Sequence, residues 1–210
     1  MTKNTKEDKT IVNMKANAGM LQGKPSLSMI GLLIVQMIIG YEWLLSGIAK
    51  IAAGDFVSGL AVDLTEVAAN SGGWYAGFLN SAVIPNAMAF GYLIEAAEVL
   101  AGIALIVGPL LWIFAWDRIP EGLRRTTLIL MIAAGVGGIF MALNFHLANG
   151  GNHPWVIPDS AFDEGVDLDL LLSTIQIVIT TVQAICLIRL RRESTEMVSA
   201  VSSIAQPKHI

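Results

Sequence analysis

The 210 residues are 54% hydrophobic and only 14% charged, with a net charge of −4 and a mean hydropathy of +0.64. Average soluble domains are roughly 25% charged, so too few polar residues remain to cover a water-facing surface, which argues against a soluble enzyme. One cysteine, Cys186, excludes a disulfide scaffold, a dithiol redox pair and a CxxCH haem attachment, and the acidic balance offers no basic patch for nucleic acid.

A hydrocarbon core of about 30 Å takes about 20 apolar residues at 1.5 Å each. Four runs qualify, over about Ser28–Ile51, Ala87–Trp116, Thr126–His146 and Leu168–Ile188. The reading is therefore all-α, an integral membrane four-helix bundle occupying residues 28–190 as one domain. The second run is longer than a span needs and carries Pro109, so a kink, a tilt or an extension beyond the bilayer is expected. The Ile, Val and Thr of the fourth run do not argue against a helix, because lipid leaves an open chain no other way to satisfy its backbone. The segment before the first run, 1–27, reads as mobile, and 191–210 reads as a tail whose last dozen or so residues are mobile.

The charges between the runs set an orientation. Lys3, Lys6, Lys9, Lys15 and Lys24 precede the first, Arg118, Arg124 and Arg125 separate the second and third, and Arg189, Arg191, Arg192 and Lys208 follow the fourth. Only Lys50 falls on the other side, where Asp55, Asp63, Glu66, Asp159, Asp163, Glu164, Asp167 and Asp169 gather. The positive-inside rule then places both termini in the cytoplasm of a multi-pass inner (cytoplasmic) membrane protein. The first outer loop is long, with Phe56, Leu60 and Leu64 at helical spacing and an aromatic group of Trp74, Tyr75 and Phe78. Short interfacial helices are expected there, the aromatics serving as membrane-belt anchors.

Ionisable groups inside spans are costly, at about 2.5–3.5 kcal/mol for a carboxylate at mid-membrane, and so point to function. Glu42 lies about 13 Å below the outer end of the first helix, and Glu95 and Glu98 about 10–15 Å below that of the second. Glu42, Ser46 and Lys50 form a polar stripe at i, i+4 and i+8. Asn144 and His146 close the third helix on the same side, and Gln176 lies about 10 Å into the fourth. These groups either form a structural hydrogen-bonded knot or a proton or substrate site. The pairs Ala97 with Ala101 and Ala134 with Gly138, together with Gly135 and Gly137, predict close helix packing. No zinc spacing, nucleotide loop or nucleophile elbow is present, and no haem or metal is expected within the chain.

Three stretches resemble the DoxX/DoxD membrane family, which includes the membrane subunit of thiosulfate:quinone oxidoreductase. GYEWLLSGIAKI, Gly40 to Ile51, is similar to its G-x-x-W-hydrophobic-x-x-G-x-x-K pattern through Gly40, Trp43, Gly47 and Lys50. Trp74 to Gly108 resembles its aromatic and proline segment followed by the E-x-x-x-G-x-x-L-x-x-G helix, with Glu98, Gly102, Leu105 and Gly108 at the motif positions. NFHLANGGNHP, Asn144 to Pro154, is similar to the segment that closes the family's third helix. The family usually carries an arginine four residues before the Gly40 position, where this chain has Gln36.

The resemblance implies a quinone-linked membrane subunit that passes electrons from a sulfur compound such as thiosulfate, outside the cytoplasm, to quinone as its membrane substrate. Glu98, Glu42 and Glu95 are then the candidate proton-handling residues. Lys50, His146, Asn144, Gln176 and Trp43 are the candidates for binding substrate. Membrane lipid, quinone and one or more further protein subunits are the expected partners. Two other readings of the same residues are a non-catalytic accessory subunit of a respiratory or photosynthetic complex and a small proton-coupled transporter.

Overall fold

The structure, a computed structural model, describes residues 25–71, 73–149 and 167–204, with side chains through Glu196. The lysine-rich segment before Pro25, the second outer loop with His153, Asp159, Asp163 and Glu164, and the last six residues with Lys208 lie outside the described residues.

Every described element is helical. α1 (Leu27–Ala53) starts where the Ser26 hydroxyl accepts a hydrogen bond from Met29 N–H at 3.3 Å, an N-cap that supplies one of the first turn's missing acceptors. It stops at Gly54, whose φ of 75° lies in the left-handed region that a glycine enters without a Cβ clash. α2 (Phe56–Asn70) and α3 (Gly73–Phe78) occupy the long connection. A π-helical turn, Leu79–Val83, and a 3-10 turn carrying Pro85, Ile84–Asn86, lead into α4 (Ala87–Ala115). α5 (Glu121–Ala148) follows Pro120, and α6 (Leu168–Ile204) follows Asp167.

α1, α4, α5 and α6 are long and apolar enough to cross a membrane, which makes the chain a multi-pass membrane protein. Residues on their outward faces such as Ile38, Leu45, Leu100, Leu130, Phe140 and Val178 are exposed, as lipid-facing side chains are. α4 continues through a buried Pro109 and reaches about 44 Å at the standard rise. The extension expected of the second run is thus present. α6 runs well past Ile188, through a stretch in which Arg189, Leu190, Arg191, Arg192, Glu193, Glu196 and Met197 are good helix formers.

Neighbours around the bundle are α1 with α4, α4 with α5, and α5 with α6, with α6 also touching α1. Glycines bring the axes together. A Cβ on Gly102 would stand 2.6 Å from Leu44 N, one on Gly47 2.9 Å from Val99 N, and one on Gly40 2.9 Å from Leu105 Cβ, so α1 and α4 meet nearly backbone to backbone. Gly108 receives Met131 of α5, and Gly135 and Gly138 receive Thr180 and Gln176 of α6. Gly137 behaves differently from expectation. Nothing lies within 4 Å of its Cβ position, because the helical advance of about 100° per residue turns it away from the α6 interface.

The expected helices of the first long loop form, and α2 docks on α4 with Val57 against Gly91. The aromatic group divides. Trp74 is 71% exposed, whereas Tyr75 is buried with Leu79 and Val83 and its hydroxyl donates to the Asn144 carbonyl at 3.1 Å. Tyr75 thus ties the loop to the end of α5 and is not a membrane-belt anchor.

Candidate functional site

Lys50 sits in the last turn of α1, and Trp43, Gly47 and Lys50 fall at i, i+4 and i+7 on the face turned to α4 and the bundle interior. Because Gly47 lets α4 approach, Glu98 lies directly alongside, its Cβ 3.0 Å from where a Gly47 Cβ would stand. The Lys50 ammonium donates to both carboxylate oxygens of Glu98, at 2.9 and 2.8 Å, and to the Ser46 hydroxyl at 2.6 Å. All three ammonium protons are used. The rings of Phe56 and Phe145 flank it at 5.4 and 5.7 Å, within cation–π range. Glu98 has no exposed side-chain surface and Lys50 only 20%, so water reaches the pair from the lysine side alone.

The three glutamates read as sharing one depth do not share one environment. Glu98 is buried, Glu95 is half-buried and close enough for its charge to act on Glu98, and Glu42 is exposed on the outward face of α1. Glu42 precedes Trp43 by one residue, which places it about 100° around the helix from the buried face. Of the stripe Glu42, Ser46 and Lys50, only Ser46 and Lys50 join Glu98.

Beside this pair, at the same end of the bundle, His146 is 5% exposed and its Nδ1 bonds the Asp167 carboxylate. The other oxygen of Asp167 accepts the Leu170 N–H at 2.8 Å and so caps α6. Asp167 therefore fixes both the helix start and the imidazole orientation. Its sequence signature was an Asp directly before an apolar run, a helix-start signal. Asn144 points its amide to Phe140 O within α5 at 2.8 Å and does not join the pair. Trp43 packs against Phe145 with ring centroids 6.3 Å apart, its indole N–H buried without a hydrogen-bond partner among the described residues. Gln176 lies over Gly138 with both amide atoms likewise unpartnered.

Gln36 and Gln183 form a second buried polar contact, Gln183 Nε2 donating to Gln36 Oε1 at 2.5 Å. At the standard rise Gln36 is about 21 Å along α1 from Lys50, so the pair lies deep in the bundle. Gln36 thus meets an amide on α6, while Gln36 Nε2 and Gln183 Oε1 keep no hydrogen-bond partner among the described residues. Gln36→Leu alone is expected to destabilise the protein by about 1–3 kcal/mol, since it strands the buried Gln183 amide, whereas Gln36→Leu with Gln183→Leu removes both partners and is closer to neutral. Thermal melts of the detergent-solubilised variants measure both.

A cleft of about 580 Å³ opens above the ion pair, lined by Lys50, Asp55, Phe56, Ser58 and Asp63 among others. A solute entering there meets the lysine before the glutamate. Among the described residues no three His, Cys, Asp or Glu side chains converge as a metal site would require. The arrangement therefore offers one cation at a mouth that Asp55 and Asp63 also line, one sealed carboxylate behind it, and a buried imidazole with an exposed carboxylate alongside. No protein-family model, no characterised protein and no solved structure matches the chain.

Proposed function

We propose that the chain is the membrane subunit of a quinone-linked oxidoreductase, with the Lys50–Glu98 pair as its proton-handling and anion-sensing centre. The observation that carries the reading is the one-sided access to that pair: a cleft leads to the ammonium, and only the ammonium separates it from a buried carboxylate. The quinone and the sulfur donor rest on the resemblance to DoxX/DoxD proteins.

Quinone reduction takes up two electrons and two protons. Joining two thiosulfate ions through a new S–S bond releases the two electrons, which a redox-active partner subunit carries to the quinone. In this chain, an anion in the cleft competes with Glu98 for the Lys50 ammonium. As the ammonium turns outward, the buried Glu98 loses its counter-charge and takes up a proton from water that enters on the lysine side. When the anion leaves, Lys50 returns and the proton is released towards the reduced carrier. Ser46 holds the ammonium between the two positions, and His146, whose imidazole is oriented by Asp167, serves in this reading to resupply protons at the same end.

Glu98→Gln keeps the shape and removes the exchangeable proton. In the complex purified in gentle detergent, it is expected to lower quinol formation with thiosulfate by about a hundredfold, the lower end of general acid–base contributions. Lys50→Ala is expected to raise the donor KM as well. Unchanged kinetics in both variants would overturn the reading. Co-purification with redox subunits but no effect of either substitution would favour an accessory subunit, and proton-coupled flux in proteoliposomes without a redox partner would favour a transporter.

A further inference from the structure

At the opposite end of the bundle, far from the Lys50–Glu98 pair, α5 and α6 leave a groove of about 360 Å³ lined by Arg125, Arg191, Ser194 and Thr195. Its depth is set by the helices. Arg191 stands about 35 Å along α6 from Leu168, and Arg125 about 32 Å along α5 from His146. With the opposite end of each helix near one membrane surface, both arginines fall just beyond a hydrocarbon core of about 30 Å, at headgroup level.

The donors in the groove are only partly used. Arg125 spends Nη2 on Glu121 at 2.5 Å, but its Nε is buried with no hydrogen-bond partner among the described residues. Arg191 makes no ion pair among the described residues. Thr195 donates to the Arg191 carbonyl at 3.0 Å, and the half-buried Ser194 hydroxyl lies beside it. Carboxylates are near: Glu121 is held by Arg125, and Glu193 and Glu196 follow on α6. Even so, this end carries Arg118, Arg124, Arg125, Arg189, Arg191 and Arg192 against Asp117, Glu121, Glu193 and Glu196 and stays positive.

We propose that this groove binds the phosphate of an anionic phospholipid headgroup, with Arg125 and Arg191 holding the phosphate oxygens and Ser194 donating a hydroxyl. Two guanidinium groups lining one groove suit a tetrahedral oxyanion, and the headgroup depth together with the acyl-facing apolar flanks of α5 and α6 favours a lipid phosphate over a free one. A basic pocket between membrane helices is a recognised setting for such lipids. The inference stands apart from the quinone reading, since it uses no residue of that site.

The test is lipid retention by the full chain reconstituted in phosphatidylcholine bilayers with or without phosphatidylglycerol, extracted gently and followed by native mass spectrometry. The wild type is expected to retain phosphatidylglycerol selectively. Arg191→Gln should weaken retention about twentyfold and Arg125→Gln with Arg191→Gln several hundredfold, from the usual contribution of a hydrogen bond to a charged group. Arg192→Gln, exposed and outside the groove, should weaken retention about fivefold at most, the contribution of surface charge alone. Because Arg191 makes no ion pair among the described residues, Arg191→Gln decides the matter even if the double variant folds poorly. Equal retention of both lipids overturns the proposal, as does an Arg192→Gln effect as large as that of Arg191→Gln, which would mean diffuse surface charge. Displacement of the lipid by millimolar inorganic phosphate overturns it in favour of a free-anion site.

Discussion

Lys50→Met is expected to destabilise the detergent-solubilised protein by about 3–5 kcal/mol, the usual cost of removing one partner of a buried ion pair. The reason is the sealed position of Glu98, whose two oxygens are both held by the Lys50 ammonium. Without that ammonium the site holds either an uncompensated charge or a neutral acid without its acceptor. The pair itself need not be stabilising relative to a neutral replacement. Lys50→Met combined with Glu98→Gln should therefore regain most of the loss, since no net charge is then buried. A double-mutant cycle by thermal unfolding reads the difference directly. Additive losses would show that the two side chains do not depend on one another, and would remove the basis for the proposed proton centre.

Gly102→Ala is the second large effect, an overpacking loss of about 1–3 kcal/mol. The added methyl would stand 2.6 Å from Leu44 N and 2.7 Å from Leu44 Cα, and these are backbone atoms that cannot rotate aside. α1 has to move away from α4, and Glu98, one turn earlier on α4, moves with the interface. The variant is thus expected to lose both stability and function of the Lys50–Glu98 pair. Gly137→Ala supplies the control. Its methyl meets nothing within 4 Å, so the higher helix propensity of alanine should make it neutral or slightly stabilising. If the two substitutions had equal effects, close approach of α1 and α4 would not be what holds the site together.

The contrast between these glycines shows what a one-dimensional pattern carries. Small residues in membrane helices announce close packing, but Gly137 and Gly138 differ by one position and face different surroundings. The same angular step separates Glu42 from Trp43, one outside the bundle and one inside it. A longer apolar face on α1 would have resolved Glu42, but in a membrane the outward face is as apolar as the inward one, so hydrophobic periodicity loses the contrast it has in water. Contacts between distant segments were still less legible. Gln183 reads as one more polar residue in a Thr-rich helix until Gln36 is found against it, and Tyr75 reads as a surface aromatic until the Asn144 carbonyl is found at its hydroxyl.

Length, composition and hydropathy sufficed to determine four membrane-crossing helices, because lipid imposes one length and one backbone solution on any span. Spacing along each helix also sufficed to bring Lys50, Glu98 and His146 to the same end, since depth is a count of residues multiplied by a fixed rise. Which glutamate the lysine holds, which glycines admit a neighbour, and which amides find partners were decided only by tertiary structure. Those choices depend on the rotation of each helix about its axis, and that rotation is set by the packing of one helix into another, which no single span encodes.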